Sequence, residues 1–163
     1  MAIRILSDEQ RRRYARFAGN PSPDQLARHF HLDAADQAII QKLRGDHNRL
    51  GFALMLCAAR FLGAFPDEGA GIPAPVLTTL VRQLGLKSGV TLDDYFGSRQ
   101  RIRHLILIRK NYGFADFALN ASARFRLTRW LYALCWSGDD RPGLLIERTA
   151  SWLVANKILP DYA

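Results

Sequence analysis

The sequence predicts an all-α chain, a multi-helix bundle with tandem helix-turn-helix-like subdomains, and three observations predict it. Apolar residues recur at helical three- and four-residue spacing through most of the 163 residues. Helix-opening signals stand ahead of these stretches: a Ser or Asp with a polar residue three positions on, or a Pro at the first helical position. Long polar-apolar alternation is absent, so no sheet is expected.

Taken in order, Ser7 with Gln10 reads as a capping box, and Arg11 to Ala18 continues that helix to a stop at Gly19-Asn20-Pro21. Ser22, Pro23 and Gln25 open a short second helix that ends near His31. Asp33 caps a third, running through Ile39, Ile40 and Leu43 to Gly45. Asp46 caps the longest, Asn48 to Leu62, whose Leu50, Leu54, Cys57, Phe61 and Leu62 keep helical spacing. From Gly63 to Pro75 the Gly and Pro residues are too dense for any helix to continue. The expected organisation is a first helix-turn-helix-like subdomain over 1–65, a Pro/Gly-rich linker over 66–75, and a second, basic helical subdomain over 76–163. The second set comprises Ala74 to Leu84, a short turn of helix opened by Thr91, Ser98 to Tyr112, Ala118 to Trp136, and Pro142 to Asn156. A loose internal echo joins the halves, Leu26-Ala-Arg-His-Phe-His-Leu32 against Leu80-Val-Arg-Gln-Leu-Gly-Leu86, each similar to the end of a first helix in a helix-turn-helix.

Composition narrows the function. Hydrophobic residues make up 48% of the chain, enough to fill a core. There is no apolar run of about 18 residues and Met1 to Gln10 lacks a hydrophobic signal region, so a soluble, cytoplasmic protein with no membrane partner is expected. Cys57 and Cys135 sit in apolar helical runs, where a thiol acts as a small hydrophobe, and neither has a ligand-spaced neighbour. His29, His31, His47 and His104 do not share metal spacing and are expected in packing or phosphate contacts, so no metal or other cofactor is expected. Asp93-Asp94 and Asp139-Asp140 suit caps, and adjacent carboxylates on a turn do not converge on a metal. With no Gly-rich phosphate loop and no Gly-x-Ser-x-Gly elbow, no catalysis is expected of this chain. Trp130, Tyr132, Trp136 and Trp152 lie within helices and are expected in the core rather than as base-stacking platforms.

Charge points to a partner. The net charge is +8, and Gly97 to Trp130 holds Arg99, Arg101, Arg103, Arg109, Lys110, Arg124, Arg126 and Arg129 against Asp116 alone. Such a segment suits a polyanion, because every phosphate neutralised releases counterions; a solvated basic face is the plainer alternative. On the helix from Ser98, Arg99, Arg103 and Lys110 fall within about 40° of one another, with Ile102, Leu105, Ile106 and Ile108 expected on another side. That arrangement is a phosphate-facing stripe on a core-anchored helix, and Arg101, His104 and Arg109 flank it within reach of a groove. Over Asp33 to Arg44, Gln37, Gln41 and Arg44 share a face at helical spacing. Gln can pair with an adenine edge and Arg with a guanine edge, so this would be a reading helix if it is not an ordinary polar surface. Arg11, Arg12, Arg13 and Arg16 either clamp a backbone, enter a minor groove or form a solvated helix face, and Arg49 either contacts DNA or holds Asp46 locally.

The stretch Gly45 to Pro66, with its polar and basic entry Asp46-His47-Asn48-Arg49 running into an apolar helix, resembles the block after the first helix-turn-helix in the N-terminal domain of replicative transposases of the Tn-3 family. Leu6-Ser-Asp-Glu-Gln-Arg, Leu26-Ala-Arg-His-Phe-His-Leu-Asp, Arg99 to Phe114 and Ala150 to Pro160 resemble further pieces of that domain, in the same order. The resemblance implies recognition of double-stranded DNA at transposon terminal inverted repeats, with the acidic metal-binding triad of the family in a much larger C-terminal part. A chain of 163 residues is expected to be the DNA-binding piece alone, as an expressed fragment or a truncated natural copy. A homodimer within the full-length protein is left open. The competing readings are a self-association or host-factor contact module and an RNA-binding helical module, which would prefer single strands or A-form duplexes.

Overall fold

Every residue from Leu50 to Ala59 is buried, and a helix covered on all sides has to run through the middle of its bundle. In the computed structural model, which describes residues 16–159 except 70, 88, 137, 139 and 140, that helix is α3 (Asp46–Leu62), preceded by α1 (Pro23–His29) and α2 (Ala34–Gln41). After it come α4 (Ala74–Leu84), α5 (Asp93–Phe96), α6 (Arg99–Tyr112), α7 (Ala121–Trp136) and α8 (Pro142–Ala155). α6, α4, α2, α5, α8 and α1 all pack on α3, whereas α7 packs chiefly on α8. The fold is all-α, as the spacing predicts. One apolar cluster takes Phe30, Ile40 and Leu50 from before residues 66–75 and Val76, Tyr95 and Ile108 from after them.

The helix ends follow local chemistry. The Ser22 hydroxyl accepts the Gln25 N–H at 3.2 Å while the Gln25 side chain accepts the Ser22 N–H at 2.9 Å, and Asp33 and Asp36 repeat the exchange at 2.8 and 3.1 Å. Elsewhere the expected boundaries shift. The third helix stops at Gln41 rather than Gly45: its last turn tightens, with Lys42 N–H on the Ile39 carbonyl and Leu43 N–H on the Ile40 carbonyl, and Arg49 takes the Leu43 carbonyl at 3.0 Å. Asp46 is the first residue of α3 and makes no cap; the preceding position is Gly45, at φ 86°. Leu92, not Thr91, directly precedes α5. Asn120, whose side chain accepts the Ala123 N–H at 2.9 Å, delays α7 from Ala118 to Ala121. Residues 16–18 are not helical, and the rest of the expected first helix, with its Ser7 capping box, lies outside the described residues.

The absence of sheet also needs correction. β1 (Ala115–Asp116) and β2 (Ile158–Leu159) pair in parallel, with Ala115 N–H donating to the Lys157 carbonyl at 2.9 Å and Phe117 N–H to the Leu159 carbonyl at 3.0 Å. Each strand is the short extended exit from a helix, and two residues are too few to leave an alternation in the sequence.

Candidate nucleic-acid interface

The basic helix α6 ends at Gly113, whose left-handed φ of 70° suits a residue without a Cβ. It turns His104 and Ile108 fully inward, with Leu105, Leu107 and Tyr112 packed against the core. Arg99, Arg103 and Lys110 are exposed together, as the spacing predicts, and among the described residues none of them has an ion-pair partner. The predicted apolar side, however, splits. Ile102 and Ile106 are each 59% exposed; at about 100° per residue Ile106 falls about 20° and Ile102 about 60° from Arg99, beside the basic arc on the flank away from Arg103 and Lys110.

The three residues expected to flank the stripe turn inward instead. The Arg101 guanidinium donates to the Pro66 carbonyl at 2.9 Å and to Asp67 at 3.1 Å, and lies over the Phe96 ring. Arg109 lies 3.9 Å from Asp116 and over the Phe65 ring. His104 is buried, its Nδ1 3.2 Å from the Tyr95 hydroxyl, and burial pushes its pKa below the ordinary histidine value. The cause is geometric: these side chains project over the 63–75 loop, α5 and β1, which supply the Pro66 carbonyl, the Asp67 and Asp116 carboxylates and aromatic faces.

Around α2 the expected reading face is also divided. Gln41 and Arg44 are exposed, Arg44 beyond the end of the helix, so the helical phase joining them is lost. Gln37 is half-buried with its amide toward the Leu32 carbonyl at 3.4 Å. Arg49 turns back on the carbonyls of Leu43 and Gln41 and lies 3.8 Å from Asp46, so its contacts are local. In α7, Arg129 is exposed, Arg126 lies over the Trp152 ring at 5.8 Å, and Arg124 bends back onto the carbonyls of Phe117 and Ala118. Arg11, Arg12 and Arg13 lie outside the described residues; Arg16 pairs with Glu68 at 3.0 Å.

Two polar residues that patterning does not flag hold these helices in place. The Asp36 carboxylate, buried, accepts Arg60 twice at 2.8 and 2.9 Å, the Tyr112 hydroxyl at 2.8 Å and the Asp33 N–H at 3.1 Å. One side chain thereby ties α2, α3 and the last turn of α6 together. Burial pushes the Asp36 carboxyl up, but the hydrogen bonds from Arg60 and Tyr112 outweigh it and hold the group below the ordinary carboxylate range. The Gln83 amide of α4 donates to the Phe30 carbonyl at 2.7 Å and accepts the Leu32 N–H at 2.9 Å, clipping the turn between α1 and α2 onto α4. Arg60 inside an apolar run was the available signal for Asp36; Gln83 left none, because its partners lie far away in sequence.

The aromatic and cysteine expectations divide as well. Trp130 and Trp152 pack on each other with centroids 6.1 Å apart but are only half-buried and outside the core cluster, and Tyr132 and Trp136 are 66% and 77% exposed, so none of the four is core. With α8 as its chief packing partner, α7 leaves most of its residues exposed to solvent. Cys57 is buried and its thiol pushed up to about 12, whereas Cys135 is exposed. Among the described residues no cluster of His, Cys, Asp or Glu could hold a metal ion, and no helix is long and apolar enough to cross a membrane. Asp93 and Asp94 form the first turn of α5; Asp139 and Asp140 lie outside the described residues.

Comparison with known proteins connects this geometry to a family. Residues 5–163 match the family described as Domain of unknown function (DUF4158). The chain is 38% identical over 160 residues to the transposase for transposon gamma-delta of Escherichia coli strain K12, which covers 98% of this chain and 16% of that protein. It is 31% identical over 158 residues to the transposase for transposon Tn1546 of Enterococcus faecium, 95% of this chain and 15% of the relative. With the transposase for transposon Tn21 of Escherichia coli it shares 37% identity over 103 residues, 61% of this chain and 10% of that one. The chain thus spans about a sixth or less of the length of these relatives. It belongs to the DUF4158 family and is homologous to the N-terminal region of Tn-3 family transposases.

Proposed function

We propose that this chain recognises double-stranded DNA at the terminal inverted repeats of a transposon, as the DNA-binding part of a cytoplasmic transposase whose catalytic apparatus lies elsewhere. The observation that carries the reading is the α6 face, where Arg99, Arg103 and Lys110 stand exposed on a helix that contains no acidic residue. Cations that are exposed and, among the described residues, without an ion-pair partner can each neutralise a phosphate from such a core-anchored helix. The likeness to transposases supports a DNA target, and α1 and α2, joined through residues 30–33, are the helix-turn-helix candidate, with Gln41 and Arg44 as its exposed polar groups. A second reading, self-association of the full-length protein, is favoured by the exposed Phe125, Tyr132 and Trp136 on α7.

Footprinting on a transposon end, with competition by single strands and RNA, tests the proposal. Protection of one defined stretch that RNA does not compete away is expected, with both strands left uncut in the presence of Mg²⁺. Equal competition by all three nucleic acids, or concentration-dependent dimers with no duplex affinity, would overturn it.

Arg99→Ala with Arg103→Ala is expected to weaken terminal-repeat and random duplex alike and to lower the slope of log affinity against log salt by about one to two units. An unchanged slope with helicity intact removes the stripe from the interface. Gln41→Ala with Arg44→Ala is expected to cost roughly 1–3 kcal/mol on the terminal repeat and little on random duplex. Equal losses on both would make α2 a positioning element.

A further inference from the structure

Two β-branched apolar side chains stand at the edge of the basic stripe. Ile102 and Ile106, each 59% exposed, lie one turn apart on α6, on the flank next to Arg99, Arg103 and Lys110. Helix packing does not require them there, because the core face of α6 is made by His104 and Ile108 with Leu105 and Tyr112. Nor does an acidic protein surface suit them: such a partner would pair with the cations and leave both isoleucines against polar groups. A major groove supplies both needs at once. Its walls are phosphates, and on its floor every thymine presents a C5-methyl group, the one apolar feature of a base edge there.

Resting on the reading that this chain binds duplex DNA, we infer that Ile102 and Ile106 read thymine methyl groups in the major groove, while Arg99, Arg103 and Lys110 hold the adjacent phosphates. On the helical wheel the two isoleucines lie to one side of the cations, so one flank of α6 faces the backbone and the other faces the base edges. Four residues along a helix advance about 6 Å, which corresponds to roughly two base-pair steps of about 3.4 Å. The two methyls are therefore separated by about two base pairs. α6 is then a second point of sequence readout, independent of Gln41 and Arg44.

Uracil in place of thymine removes only the methyl group and keeps pairing and the minor groove intact, so it isolates this contact. The probe is a duplex selected by the intact chain from a randomised pool, then resynthesised with uracil at its thymines. The expected result is a loss of affinity of roughly fourfold for each methyl contact removed. That uracil penalty should vanish in an Ile102→Ala, Ile106→Ala double variant, whose helicity is checked by circular dichroism. No penalty in the unaltered chain, or an equal penalty in the double variant, overturns the inference while duplex binding itself stands. Failure of the intact chain to select or bind any duplex overturns the proposed function as well.

Discussion

Gly51→Ala is expected to destabilise the chain by about 3 kcal/mol, the upper end of what one extra methyl costs in a packed core. A Cβ at Gly51 would lie 2.4 Å from the ring carbons of Tyr95. That ring cannot simply move aside. It is fully buried, packs against Phe96 and His104 with centroids at 5.8 and 5.5 Å, and has its hydroxyl 3.2 Å from His104. Relief has to come from separating α3 from α5, which also disturbs α6 through His104. Urea unfolding followed by circular dichroism measures the effect. Gly143→Ala in α8, where an added Cβ meets nothing within 4 Å, is the control and should leave the midpoint unchanged or slightly raised. Equal midpoints for Gly51→Ala and the unaltered chain would show that the ring yields.

A comparable loss, about 3 kcal/mol near neutral pH, is expected for Asp36→Asn, because removing the carboxylate's charge leaves the partly buried Arg60 guanidinium without its ion-pair partner. Arg60 keeps 28% of its side chain exposed, which places the cost at the lower end for a broken buried pair. Tyr112→Phe spares the ion pair and removes one hydrogen bond to a charged group, an expected loss of about 1.5 kcal/mol. The pH dependence has a definite sign. The folded-state pKa of Asp36 lies below its ordinary 3.8, so its stabilisation is complete above that value and is lost as pH falls through the folded pKa. The gap between the unaltered chain and Asp36→Asn, measured by denaturant midpoints across pH, should therefore be constant near neutrality and narrow below about pH 4. A gap that persists undiminished into acid would mean that the carboxylate's charge contributes nothing.

How far the chain could be read in advance depended on how local each cause was. Ser22 with Gln25 and Asp33 with Asp36 set their helix starts through contacts three residues apart, and α4 has the expected ends because Pro73, Pro75 and Gly85 act on their own backbone. The exposure of Arg99, Arg103 and Lys110 follows from helical phase alone. By contrast, the inward turns of Arg101 and Arg109 depend on Pro66, Asp67, Asp116 and the rings of Phe96 and Phe65, which only folding brings near. The early stop of α2 depends in part on Arg49 reaching back for the Gln41 carbonyl, and the outward placement of Tyr132 and Trp136 on α7 packing chiefly against α8. The sequence by itself determined the helical class, most helix boundaries and the basic stripe, because periodicity and capping act within a turn or two. Which cations stay exposed and which turn onto carbonyls, carboxylates and rings, and that Asp36 rather than an apolar residue joins α2, α3 and α6, only the tertiary structure decided, because burial and ion pairing are settled by neighbours distant in the chain.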